Sequence, residues 1–207
     1  MTRPPPTVFL VDDDHAVRDA LTLLLESADL ETESFETASA FLKAYDPDKP
    51  GCLILDIRMP GMSGMELQET LASKDINIPI IFLTGHGNVP MSAKAFRAGA
   101  VDFMQKPFDE EVLLERIQEA IKRDQANRAA ELKRLNADNR LMALTPRERE
   151  VMLLVAAGKS NKEIAAELRL SHRTVEIHRA RVMEKSGAES LPDLIELVTA
   201  SGIGELD

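Results

Sequence analysis

A chain of 207 residues, 44% hydrophobic and 29% charged, is long enough for two ordinary domains with separate cores. No apolar run approaches the ~20 residues of a membrane span, MTRPPPTVFLVDDD carries no secretory pattern, and the lone Cys52 cannot form an internal disulfide, so a reducing, cytoplasmic setting is expected. The formal charge of −10 is uneven: residues 1–122 hold 11 Lys and Arg against 21 Asp and Glu, whereas residues 123–207 hold 14 of each, which predicts two domains with different partners.

In chain order, the first apolar run is TVFLV (7–11), and the segment from Ala16 to Ser27 has helical spacing. A weaker strand candidate, ETESF (31–35), precedes a helical stretch from Ala38 to Tyr45. CLILD (52–56), IPIIFLT (78–84) and AVDFMQ (100–105) are the remaining strand candidates, with helical spacing in Met65–Leu71, Met91–Arg97 and from Glu110 onward. Alternating strands and helices of these lengths predict an α/β fold with a parallel sheet covered on both faces. Cys52 reads as a small buried residue at a strand start.

The polar residues at the carboxyl ends of these strands are Asp12 and Asp13, Asp56, Thr84 and Lys106. In open α/β sheets, ligands bind in the crevice outside those ends. A flavodoxin-like strand order, 2-1-3-4-5, brings Asp12, Asp13 and Asp56 together. Clustered carboxylates suit a hard cation, most simply Mg²⁺ with its retained waters. Lys106 adds a positive charge and Thr84 a hydroxyl, a set suited to a small anion such as a phosphoryl group. Asp14 reads as a solvated residue near the next helix N-terminus.

VDDD, LDIRMPGMSG, FLTGHG and AVDFMQKPF closely resemble a bacterial response-regulator receiver domain, over roughly residues 6–122. Thr84 follows Asp56 by 28 residues and Lys106 follows Thr84 by 22, both usual in that family. The resemblance implies that Asp56 is the phospho-acceptor, taking its phosphoryl group from a sensor histidine kinase. It implies that Asp12, Asp13, Asp56 and the Arg58 backbone carbonyl hold Mg²⁺, with Mn²⁺ as a substitute. Thr84 and Lys106 would contact the phosphoryl oxygens, and Thr84 with Phe103 would form the switch. Arg58 and His86, each two residues beyond a site residue, would shield the rim from water. A Mg²⁺-dependent phosphatase is the competing reading, but the general acid it needs two residues after the nucleophile is replaced by Arg58.

From Phe108 to Leu144 there is neither Pro nor Gly, and helix formers dominate. The expectation is a last receiver helix running into a helical linker over 123–140. A weak coiled-coil seam is the sharper alternative. Beyond it, Thr145 reads as an N-cap with Pro146 at the first helical position and Glu148 closing a capping box. A helix to Ala157, a short helix from Asn161 to Leu168, and a third capped by Ser171 and ending at Ser186 make a helix-turn-helix pattern.

Lys159 to Lys185 holds 7 basic and 4 acidic residues, a modest basic patch. GKSNKEIAAEL followed by TVEIHRARVMEK resembles the LuxR-type DNA-binding domain, here over 141–207, and the whole chain resembles a FixJ/NarL-type regulator nearest the FixJ-like group. The third helix places Val175, His178, Val182 and Lys185 on one face, and Arg173, Glu176, Ile177 and Ala180 toward another, which can enter a major groove. The expected DNA contacts are Asn161, Lys162, Ser171, Arg173, Thr174, Glu176, Ile177, Arg179, Ala180, Arg181 and Lys185. Many relatives carry a basic residue where Glu176 stands, and a carboxylate there accepts from a cytosine amino group instead. The implied partners are a kinase, promoter DNA, a second copy on phosphorylation and RNA polymerase, with no membrane.

Overall fold

The computed structural model describes residues 5–85 and 89–203. The chain divides into two compact units, at Asn127 and Arg128. The first contains strands β1 (Thr7–Val11), β2 (Glu31–Phe35), β3 (Gly51–Leu55), β4 (Ile80–Thr84) and β5 (Asp102–Gln105) in one parallel sheet of order β2-β1-β3-β4-β5. Between them run α1 (His15–Ser27), α2 (Ala38–Ala44), α3 (Gly64–Ser73) and α4 (Val89–Arg97).

Every residue of β1, β3 and β4 is buried, because helices cover both faces of the inner strands. Alternation divides the core in two. Phe9, Leu53, Leu55 and Phe82 meet Phe41 of α2, Leu67 and Leu71 of α3, and Ala95 of α4. Val8, Leu10, Cys52, Ile54 and Ile81 point the other way, onto Leu21 and Leu25 of α1 and onto Leu113 and Ile117 of α5 (Glu110–Met142). Burial pushes the Cys52 thiol up to about 12, which leaves it unreactive. Strand β2 is an edge strand, with Glu31 and Glu33 tolerated where one side is open.

Two glycines are required by close backbone approach. A Cβ on Gly51, whose φ is +154°, would fall 1.8 Å from the Thr7 carbonyl oxygen, and one on Gly64 would fall 2.2 Å from that of Asp56. Gly64 therefore lets α3 begin directly against the strand end that carries Asp56.

The second unit holds the C-terminal part of α5 with α6 (Pro146–Ala156), α7 (Asn161–Leu168), α8 (His172–Ser186) and α9 (Leu191–Ser201). Ala137 and Leu141 of α5 join Val151, Met152, Ile164, Val175, Val182, Leu194 and Leu197 in its core. Capping boxes at Thr145/Glu148 and Ser160/Glu163 start α6 and α7. Arg169, left-handed at φ 54°, closes α7 and turns the chain into α8. No helix among the described residues is long and apolar enough to cross a membrane.

Candidate functional site

The first site lies at the carboxyl ends of β1, β3, β4 and β5. Asp12 and Asp56 are 2% and 7% exposed, and Thr84 is 1% exposed. Lys106 reaches between the two acids: its ammonium donates to Asp12 Oδ2 at 2.5 Å and to Asp56 Oδ1 at 3.3 Å. The Arg58 backbone N–H donates to Asp56 Oδ2 at 2.6 Å, so both Asp56 oxygens are held while the carboxylate keeps its place at the strand end. Asp13 is exposed beside them, and Asp14 caps α1 by accepting from the Ala16 N–H at 2.9 Å.

Burial pushes the Asp56 carboxyl above its ordinary range, and the charge of Lys106 with the Arg58 N–H only partly offsets this. Burial pulls the Lys106 ammonium downward, but its bond to Asp12 and the two nearby negative charges outweigh it, and its pKa rises. The site is therefore short of positive charge, with one ammonium serving two buried carboxylates and an exposed third close by.

Among the described residues no three His, Cys, Asp or Glu side chains close into a ready cation cage. The donors are nevertheless all hard oxygens, two of them on buried carboxylates that lack a full countercharge. That set fits a small divalent cation that retains waters.

Thr84 ends β4, and its carbonyl accepts from the Lys106 N–H at 2.9 Å. Phe103 pairs in register with Phe82, their rings 6.3 Å apart, and it is only half-buried. Arg58 is exposed at the rim. His86 lies outside the described residues.

Sequence reasoning missed three positioning residues here. Arg18 of α1 donates to the Asp12 carbonyl at 2.7 Å. Gln68 of α3 donates to the carbonyls of Ala95 and Ala98 at the end of α4. The buried Asp124 of α5 accepts from the Gly51 N–H at 2.9 Å, pinning the start of the strand that ends at Asp56. Only the helical period of Arg18, one turn beyond Asp14, gives any local signal.

The second site is the outer face of α8. Arg173, Glu176, Ile177, Ala180 and Arg181 are exposed while Val175 and Val182 are buried, as the helical spacing predicts. Ser171 caps α8 by accepting from the Thr174 N–H at 3.1 Å, and Lys162 of α7 is exposed. Glu176 lies 3.4 Å from His172 Nδ1, one turn earlier.

Three residues expected to face DNA, Asn161, Arg179 and Lys185, already have partners within the protein. Arg179 donates to Asn161 Oδ1 at 2.9 Å, tying α8 to α7. Lys185 donates at 2.7 Å to Glu148, which is 1% exposed. That bond, with the Thr145 N–H, lowers the Glu148 carboxyl to about 2. Lys185 thus bolts α8 to α6. His178 Nδ1 is buried and forms no hydrogen bond with the described residues. Arg140 of α5, also missed, donates to the Ser186 and Gly187 carbonyls at 2.6 and 2.8 Å and closes the C-terminus of α8.

Comparison with known proteins matches both halves. Residues 8–118 match the response regulator receiver domain, and residues 142–198 match the bacterial regulatory proteins of the luxR family. Nodulation protein W of Bradyrhizobium diazoefficiens is 46% identical over 196 residues, 95% of this chain and 86% of that protein. Transcriptional regulatory protein FixJ of Rhizobium meliloti is 45% identical over 199 residues, 96% of this chain and 97% of that protein. Among solved structures, the response regulator StyR aligns with a TM-score of 0.82 at 44% identity, covering 95% of this chain and 99% of that one.

Proposed function

The chain belongs to the FixJ-like response regulators, with a receiver domain and a LuxR-type DNA-binding domain, and from that premise we propose that Asp56 accepts a phosphoryl group from a sensor histidine kinase and thereby promotes dimerisation and DNA binding. The observation that carries this reading is the buried Asp56 carboxylate sharing the Lys106 ammonium with Asp12.

An Asp56 oxygen attacks the phosphorus of a phosphohistidine in line; the new O–P bond forms as the N–P bond breaks, giving an acyl phosphate. Lys106 can swing from Asp12 to the incoming phosphoryl oxygens, and the buried Thr84 hydroxyl lies at the end of the adjacent strand. Asp12, Asp13, Asp56 and the Arg58 carbonyl would hold Mg²⁺, or Mn²⁺ in its place, which supplies charge neutralisation for the transferring group. Phosphorylation adds about −1.5 to −2 charges at Asp56. Thr84 then moves toward the phosphoryl group, Phe103 turns into the space it leaves, and the surface from Met91 to Glu111 repacks.

In the second unit, Lys162, Arg173 and Arg181 contact phosphates, Ser171 and Thr174 present the N-terminus of α8 to the backbone, and Glu176, Ile177 and Ala180 read base edges. Asn161, Arg179 and Lys185 hold the helices in register for that contact. A dimer reads an inverted repeat and acts with RNA polymerase in the reducing cytoplasm, where the buried Cys52 stays a thiol. The receiver's chemistry acts on itself, so the protein is a transcriptional regulator and not an enzyme with external turnover.

Intact-mass measurement after incubation with a small phosphoryl donor tests the acceptor. One Mg²⁺-dependent adduct, absent in Asp56→Asn, is expected. An adduct that persists in the variant would refute Asp56 as the acceptor.

A further inference from the structure

In the C-terminal part of α5 the core-facing side and several charged residues have partners, whereas one apolar row has none assigned. Ala137 and Leu141 are buried in the core of the second unit. Arg140 closes α8 through the Ser186 and Gly187 carbonyls. Arg134 is paired within the helix, to Glu131 at 2.7 Å and to Asp138 at 3.5 Å. On the opposite side from Ala137 and Leu141 lie Leu132, Leu135 and Met142, exposed by 51%, 45% and 73%, with the exposed Asn139 among them.

Leu132, Leu135, Asn139 and Met142 follow a three-four-three spacing, which makes them successive a, d, a and d positions of a heptad. We infer that this row is a parallel, in-register seam against the same row of a second copy of the chain, closed when the receivers dimerise. The inference rests on the phosphorylation-driven dimer proposed above and adds to it a second interface in the other unit.

Three observations select a second copy as the occupant. An asparagine at an a position pairs with its equivalent across a parallel dimer and disfavours other registers, at some expense in stability. The acids flanking the seam at the g positions, Glu131 and Asp138, share Arg134 of their own helix, which leaves the group a single net negative charge and weakens the repulsion that would oppose closure. The third is area. Three exposed apolar side chains and one amide offer on the order of 400 Å² per protomer, about half of the ~800 Å² that each partner gives to a stable interface.

A seam of that size does not hold a dimer by itself. It closes once another contact supplies an effective concentration on the order of millimolar. The polar Gln125 and Arg128, at the preceding a and d positions, end the row on the receiver side. The seam is therefore a dependent contact, silent in the monomer and formed on activation. Because Arg140 on the same helix closes α8, pairing α5 with its copy also sets the spacing of two recognition helices.

Homotypic cross-linking in the full chain tests this. Leu135→Cys, Met142→Cys and, as a control on a different face, Lys133→Cys are each treated with diamide, with and without beryllofluoride and Mg²⁺. The native Cys52 is fully buried and gives no background. Sedimentation on the same samples reports whether dimers exist. The expected result is a beryllofluoride-dependent disulfide dimer for Leu135→Cys and Met142→Cys, and none above background for Lys133→Cys. Dimers by sedimentation with equal, background cross-linking at all three positions would overturn the seam and leave receiver dimerisation standing. A protein that stays monomeric with beryllofluoride would overturn both.

Discussion

Replacing Lys106 by Met removes the ammonium that Asp12 and Asp56 share while keeping most of the side-chain volume. The three side chains are 21%, 3% and 9% exposed, so the pair is a buried one. Breaking such a pair by deleting one partner costs ~3–5 kcal/mol, because a buried charge is left without compensation. Asp56 already has a raised pKa and can take up a proton, which puts the loss near the lower end, at about 3 kcal/mol in metal-free buffer at neutral pH. With an m-value of ~2 kcal/mol/M for a small domain, the urea midpoint of the receiver transition falls by roughly 1.5 M. Two controls follow from the same electrostatics. Mg²⁺ replaces the missing charge and recovers most of the midpoint. Asp56→Asn, which removes a carboxylate that burial disfavours, raises the midpoint of the otherwise native chain in metal-free buffer. A loss below about 1 kcal/mol for Lys106→Met, or no recovery with Mg²⁺, would refute the charge-poor pocket described above.

Acid should separate the two units. The folded Glu148 pKa lies below the unfolded value, so its contribution to stability is complete above about 4.5 and is lost as pH falls toward about 2; Glu148→Gln, followed by circular dichroism, should lose that dependence in the second unit. Glu176→Lys should change the preferred site, with about 1–3 kcal/mol at the affected base pair, and not abolish binding; equal weakening on every sequence in a binding-site selection would mean that α8 is wrongly placed. Arg58→Ala should shorten the life of the acyl phosphate, measured as its decay rate after the donor is removed, because an exposed side chain at the rim no longer impedes water.

Much of this was legible from local signals. The buried strands β1, β3 and β4 announce themselves as continuous apolar runs because both of their faces are covered. Strand β2 reads weakly for the opposite reason: an edge strand tolerates Glu31 and Glu33. The caps at Thr145 and Ser171 are short-range chemistry and appear directly in the sequence. Asp12, Asp56, Thr84 and Lys106 were legible because each ends a strand, and the strand order then places them together.

What sequence could not show are pairings between distant residues. Asp124 meets Gly51 across 73 positions, Arg140 meets Ser186 across 46, and Lys185 meets Glu148 across 37. Helical spacing puts Lys185 on the inner face of α8 but does not reveal that its charge is met there by a buried carboxylate. Helix α5 runs on past the receiver as one long helix, as its composition predicts, and its residues enter two cores that the sequence does not show: Ile117 and Ile121 pack in the first unit, and Ala137 and Leu141 in the second.

The central claim is that modification of Asp56 controls DNA reading through dimerisation. Titration of the full chain, with and without beryllofluoride, against an inverted repeat and against one half-site tests it most directly. The account predicts that beryllofluoride tightens binding to the whole repeat, that Asp56→Asn abolishes the gain, and that half-site affinity barely changes. Equal tightening on whole and half sites, or a gain that survives Asp56→Asn, would contradict it.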